Sequence, residues 1–189
     1  MTILGIAVQR LLSPFFLLVC ISIIPATSIA GEPNTLFSKI KLYAEFANAA
    51  YLPQEQAQKI IDAQGYRLTQ YSSVPGVEVN YLVATNDALK HQIIAVRGTA
   101  NVDNAIVDVS LKLSPDKHAK IALHQGFAQA AEGVYKSVLP MLNKDYKTST
   151  TGHSLGGAIA VILAMYLDID KYELSPITTF GQPKVTNVS

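Results

Sequence analysis

Gly152-His153-Ser154-Leu155-Gly156-Gly157 sets a single serine hydroxyl between glycines two residues to either side. The run before it, Tyr146 to Thr151, is short and β-branched, as in a strand. The run after it, Ala158 to Leu167, is apolar enough for a buried helix. A serine held where a strand turns sharply into a helix has its hydroxyl lifted clear of the sheet. Gly152 and Gly156 remove the Cβ atoms that would collide where the two elements approach. The helix behind the serine directs unpaired N–H groups and the positive end of its dipole at any oxygen reacting there. The chemistry this suits is acyl transfer, with Ser154 as nucleophile. The plainer alternative is that Gly156-Gly157 only lets a helix pack closely against a strand.

Acyl transfer needs a second feature, N–H donors for the oxyanion of the tetrahedral intermediate. One is the backbone N–H of Leu155, the residue after the nucleophile. The other ordinarily comes from a loop after an upstream central strand. Gln92–Val96 is a continuous apolar run of the kind buried on both faces, and the loop after it begins Arg97-Gly98-Thr99.

The elements that must position these groups follow from periodicity. Leu36, Ile40, Tyr43, Ala47 and Ala50 recur at helical spacing, predicting an amphipathic helix from Thr35 to Leu52 that Pro53 ends. A second helix is expected over Gln54 to Asp62. Strands are expected over Tyr66–Tyr71 and Val77–Ala84, joined by the turn Val74-Pro75-Gly76. Gly126 to Leu142 contains another helix, in which Gly133 is a minor cost, and Ile177–Phe180 reads as a last strand. A β-meander followed by alternating β and α predicts the α/β class, a mostly parallel sheet covered by helices.

Residues 1–30 stand apart from this domain. Arg10, the apolar run Leu11 to Ile24 and the small-residue pattern Ser28-Ile29-Ala30 have the form of a secretory signal peptide cleaved before Gly31. An uncleaved anchor is the rival, but a bilayer span needs ~20 apolar residues. The expected product, residues 31–189, is secreted or periplasmic. It loses Cys20, the only cysteine, and Arg10, leaving 14 basic against 14 acidic residues. A chain with no basic stripe is not a nucleic-acid binder, and neutrality suits an uncharged or amphiphilic substrate. The spacing shows no metal site and implies no cofactor.

Four motifs then fall in order: Val96-Arg97-Gly98-Thr99, His124-Gln125-Gly126-Phe127, Thr151 to Gly157, and Thr179-Phe180-Gly181-Gln182-Pro183-Lys184-Val185. Together they closely resemble the class 3 (fungal-type) triacylglycerol lipases of the α/β-hydrolase fold, over most of residues 35–189. The resemblance implies a carboxylic-ester hydrolase acting on lipid, at a lipid–water interface, through a Ser154 acyl-enzyme. It makes Thr99 and Leu155 the oxyanion-hole residues and Asp108 a possible orienter of the Thr99 hydroxyl; the alternative for Asp108 is an ordinary surface acid. Asn101–Ser110 resembles the family's short lid helix, with Ala105, Ile106 and Val109 as its apolar face, or else is a surface helix in a loop. His124 matches a family position that looks structural.

A serine hydrolase also needs a general base and a carboxylate. In the fold these follow the serine in the order Asp, then His. Asp168 and Asp170 follow Ser154 but end its helix, and no histidine follows Ser154. His91 and His118 lie in apparent turns without metal spacing and His153 precedes the nucleophile, so all three read as structural or surface residues. Two accounts compete: a C-terminally truncated secreted lipase whose aspartate and histidine lie beyond residue 189, or a non-catalytic lipase-like protein that binds lipid or a protein partner. Substitution of His124 or His118 as base is a third reading, disfavoured by chain order. The first is the expectation, because the motifs for chemistry are retained.

Overall fold

The computed structural model describes residues 35–76, 79–98 and 112–187. The signal-like segment, Thr99, and the Asn101–Ser110 stretch with Asp108 lie outside the described residues. The elements are α1 (Thr35–Ala49), α2 (Gln54–Ala63), β1 (Arg67–Val74), β2 (Val79–Asn86), β3 (His91–Val96), β4 (Leu113–Pro115), β5 (Ala122–His124), α3 (Gln125–Val138), β6 (Lys147–His153), α4 (Leu155–Ile169) and β7 (Thr178–Phe180). A 3-10 turn, Leu139–Met141, closes α3, with Pro140 inside it.

Five strands form one mixed sheet in the order β1-β2-β3-β6-β7. The meander β1–β2–β3 is antiparallel, and β3, β6 and β7 run parallel. Alternation along the central strands divides the core in two. Tyr81, Val83, Ile94 and Val96 pack with α3 and α4, through Val134, Ile159 and Leu163. Leu82, Ala84, Ile93 and Ala95 pack on the other face with Phe46, Ala57 and Ile61 of α1 and α2. Side chains two apart share a face, so a strand covered on both sides is apolar on both, as β3 is from Ile93 to Val96; Gln92 is buried as well, with its Nε2 bonded to Asn143 O and to Thr148.

The neighbouring strand β6 is the exception. Thr148, Ser149, Thr150 and Thr151 are wholly buried although each carries a hydroxyl. Each hydroxyl is bonded: Thr148 takes Gln92 Nε2 at 2.8 Å, Ser149 meets Tyr43 at 3.0 Å, Thr150 donates to Ala160 O at 2.9 Å and Thr151 to Tyr43 O at 3.2 Å. Paired in this way, the hydroxyls avoid the ~1–3 kcal/mol cost of an unsatisfied buried group. The β-branched residues keep the strand shape.

Two expectations are corrected and one element was missed. The apolar stripe of α1 is not buried along its length: Leu36 is 65% exposed and Ile40 39%, and burial begins at Tyr43. Only the second half of the helix lies over the sheet. Gly133 is more than a tolerated defect, because a Cβ there would run into the Val74 side chain where α3 crosses β1. The hairpin β4–β5 was not legible in the sequence, since its two three-residue strands include Pro115 and His124 and carry no apolar run.

Candidate active site

β3 and β6 lie side by side in parallel, with Val96 opposite Gly152. This register puts the chain leaving β3 at Arg97-Gly98 beside the chain leaving β6 at His153-Ser154. Both exits are at the carboxyl ends of parallel strands, where open α/β sheets bind their ligands.

Ser154 caps α4 with φ 55° and ψ −127°. A non-glycine residue at this φ carries strain of about 1–3 kcal/mol, which persists only where the surroundings over-determine it. They do so here. The Ser154 N–H donates to Phe180 O at 2.8 Å, and the Ser154 carbonyl accepts from Gly157 N at 2.9 Å, opening the helix. A Cβ on Gly152 would lie 2.5 Å from the Gly156 backbone, and one on Gly156 2.6 Å from Arg97 C and 2.7 Å from Gly98 N. Strand, turn, helix and upstream loop therefore meet at backbone contact.

Ser154 and Leu155 are half-buried, so the hydroxyl is reachable. Leu155 is the first residue of α4, and first-turn N–H groups have no intrahelical acceptor. The Leu155 N–H and the dipole of a fifteen-residue helix therefore both favour negative charge beside Ser154. A Cβ on Gly98 would lie 3.4 Å from Gly156 N, so the loop expected to bring the second donor leaves β3 against the helix N-terminus.

All four histidines of the chain are placed. His153 is exposed, with its ring turned to Tyr51 and Nδ1 3.0 Å from that hydroxyl. His124 is buried, caps α3, and donates its N–H to Val185 O at 3.0 Å. His118 lies on the β4–β5 hairpin, stacked on Tyr166 with ring centroids 4.5 Å apart and Nε2 3.1 Å from Asp170 at the far end of α4. His91 opens β3, at the opposite end of the strand from Val96. Rather than lying in a turn, it bonds Tyr66 through Nδ1 at 2.7 Å and Ser149 through Nε2 at 2.9 Å. Asp170 is bound to Tyr135 and His118, which hold its carboxyl below the usual range against a smaller opposing effect of burial. Among the described residues no group of three His, Cys, Asp or Glu is arranged to hold a metal.

One residue of the site had no sequence signal. Tyr51, in the turn after α1, places its hydroxyl 3.1 Å from the Gly98 N–H and 3.4 Å from His153 O. Arg97 lies over its ring at 5.8 Å. Burial raises the phenol's pKa, an effect opposed by the Gly98 N–H and by Arg97. Forty-seven residues separate it from Gly98 and 102 from His153, and no local pattern marks such a contact.

The family model described as Lipase (class 3) matches residues 93–189, just over half of the chain. The chain belongs to this family. Its class 3 lipase motifs include both strand exits of the site, and the fourth motif supplies Phe180 O to Ser154 and Val185 O to His124. A secreted mono- and diacylglycerol lipase 1 from Fusarium solani is 36% identical over 112 residues, 56% of this chain and 33% of that protein. A lipase from Rhizopus niveus is 34% identical over 143 residues, 70% of this chain and 36% of that protein. The chain thus spans about a third of the length of these relatives. The crystal structure of a lipase from Rhizopus microsporus var. chinensis superposes with a TM-score of 0.69 at 27% identity, covering 82% of this chain and 60% of that one. The α/β-hydrolase fold of the class 3 lipases is therefore shown.

Proposed function

We propose that this chain carries the nucleophile and oxyanion half of a secreted carboxylic-ester hydrolase acting on acylglycerol-type lipid. The strained turn at Ser154, facing the Leu155 N–H at the head of α4, carries this reading. Ser154 Oγ attacks the ester carbonyl carbon, and the carbonyl oxygen becomes the oxyanion. Leu155 N–H and Thr99 receive that charge, with Asp108 orienting the Thr99 hydroxyl. The alcohol then leaves with a proton, and water hydrolyses the acyl-enzyme. The lipid class rests on relatives named as mono- and diacylglycerol lipase and lipase. Secretion rests on the segment 1–30 and on the word secreted in a relative's name.

A general base must take the Ser154 proton. His118 and His91 sit at the far ends of α4 and β3, and His124 caps α3. His153 neighbours Ser154 in sequence but is turned to Tyr51. The rings of His91, His118 and His153 are thus engaged with other partners. Oxyanion donors acting without a base still leave a residual rate, far below that of a complete triad. Hydrolysis of p-nitrophenyl butyrate by the purified 189-residue chain and its Ser154→Ala form tests the proposal. A slow rate lost in the variant supports it. An equal rate in both removes Ser154 from the chemistry, and a fast Ser154-dependent rate would mean that one of these histidines serves as base after all.

A further inference from the structure

The Tyr51 hydroxyl stands where three segments meet that are far apart in sequence. It accepts the N–H of Gly98 at 3.1 Å, lies 3.0 Å from His153 Nδ1, and is 3.4 Å from His153 O. The first contact is to the loop leaving β3 and the other two are to the residue before Ser154. The space a side chain at position 98 would take is already filled: a Cβ there would meet the Tyr51 hydroxyl and come within 2.5 Å of His153 O. Glycine at 98 and tyrosine at 51 are thus two halves of one fit. Tyr51 itself is anchored on the turn that ends α1, where its N–H donates to Asn48 O at 2.9 Å.

We propose that Tyr51 is a positioning residue for the oxyanion site, its hydroxyl clamping the Gly98 loop to the serine turn. The inference rests on the ester-hydrolase reading of Ser154. An oxyanion site depends on distance: donors must lie 2.7–3.1 Å from where the oxygen will be. On that reading one donor is the Leu155 N–H beside the turn and the other is Thr99, next after Gly98 in the chain, so any sliding between turn and loop spoils the pair. Among the described residues, the phenol is a side-chain tie between them that avoids the reacting atoms. Its ring sits under Arg97, so the hydroxyl is delivered by a side chain that is itself held.

Phenylboronic acid tests this without turnover. The serine oxygen adds to boron, the hydroxyl proton passes to buffer, and the tetrahedral adduct, seen by boron NMR, presents an oxygen to the oxyanion donors. The 189-residue chain, Tyr51→Phe and Ser154→Ala are compared, with the thermal unfolding midpoint and Gly98 amide exchange measured on the first two. Tyr51→Phe is expected to weaken the adduct about tenfold, the factor for losing about one hydrogen bond's worth of alignment. It should also speed exchange at Gly98 while the folded fraction stays complete. Unchanged adduct affinity in Tyr51→Phe, with none in Ser154→Ala, overturns the clamp and leaves the hydrolase reading standing. A loss of affinity that only tracks a loss of folded protein also overturns it, since the residue would then be structural. No adduct with the unmodified chain, or an equal adduct with Ser154→Ala, overturns the hydrolase reading and the clamp with it.

Discussion

The two ends of the β3–β6 pair hold the same residue types and do different things. At the carboxyl end, Ser154 neighbours His153, whose ring meets the Tyr51 hydroxyl. At the amino end, Ser149 meets His91 at 2.9 Å and Tyr43 at 3.0 Å, and His91 meets Tyr66 at 2.7 Å. By side-chain distances alone the second cluster looks more like a catalytic serine and its base. Yet Ser149 is wholly buried in regular strand, with its hydroxyl spoken for by two partners. Ser154 is half-buried, at positive φ, at the head of a helix. Access, backbone strain and N–H groups without an intrahelical acceptor separate the proposed nucleophile from a satisfied core hydroxyl; a nearby imidazole does not.

The sharpest way to break this contrast is to remove each serine in turn. Ser154→Ala is expected to abolish serine-dependent ester hydrolysis, whereas Ser149→Ala should leave the rate per folded molecule unchanged. A Ser149→Ala chain that lost its rate while remaining folded would move the chemistry to the other end of the sheet. Next in size is Gly156→Ala. Its new methyl would press on backbone at Arg97 and Gly98, which cannot rotate away, so a destabilisation of about 3 kcal/mol or more is expected. Urea unfolding measures it, and a loss under 1 kcal/mol would show that loop and helix are not in rigid contact. Ser149→Ala itself should cost about 1–3 kcal/mol, because His91 and Tyr43 each lose a buried partner.

The smallest effect is in the pH dependence. Burial, and then the nearby Lys147 charge, push the His91 pKa below its ordinary 6.5. Below pH ~6.5 the unfolded chain therefore binds a proton that the folded chain resists, and stability falls until pH drops beneath the folded value. Replacing the ring by His91→Gln should flatten this acid limb of the stability curve. An unaltered slope between pH 6.5 and 5 would show that His91 is not the group responsible.

Much of the frame is legible in the residues. The helices, the meander and the order of strands around Ser154 follow from patterns contained within 10–20 residues of chain. The errors share a cause. Leu36 and Ile40 sit at helical spacing with Tyr43, but whether a stripe is covered depends on how far a helix overhangs its sheet. Gly133 looks like a helix defect until Val74, 59 positions earlier, is found against it. His91 reads as a turn residue until Tyr66 and Ser149 close around it.

The sequence alone determined the serine turn. Two glycines flanking Ser154, a β-branched run before and an apolar run after are local facts, and local sterics leave a chain of that kind few other conformations. It also determined that the loop at Arg97-Gly98 belongs with that turn, since the two motifs occur together in a recognisable order. Only the tertiary structure decided what holds them at the working distance. The parallel register that sets Val96 beside Gly152 and the Tyr51 hydroxyl bridging Gly98 and His153 are contacts between distant segments. Their energy is gained only once the whole sheet is paired, so no stretch of sequence displays them.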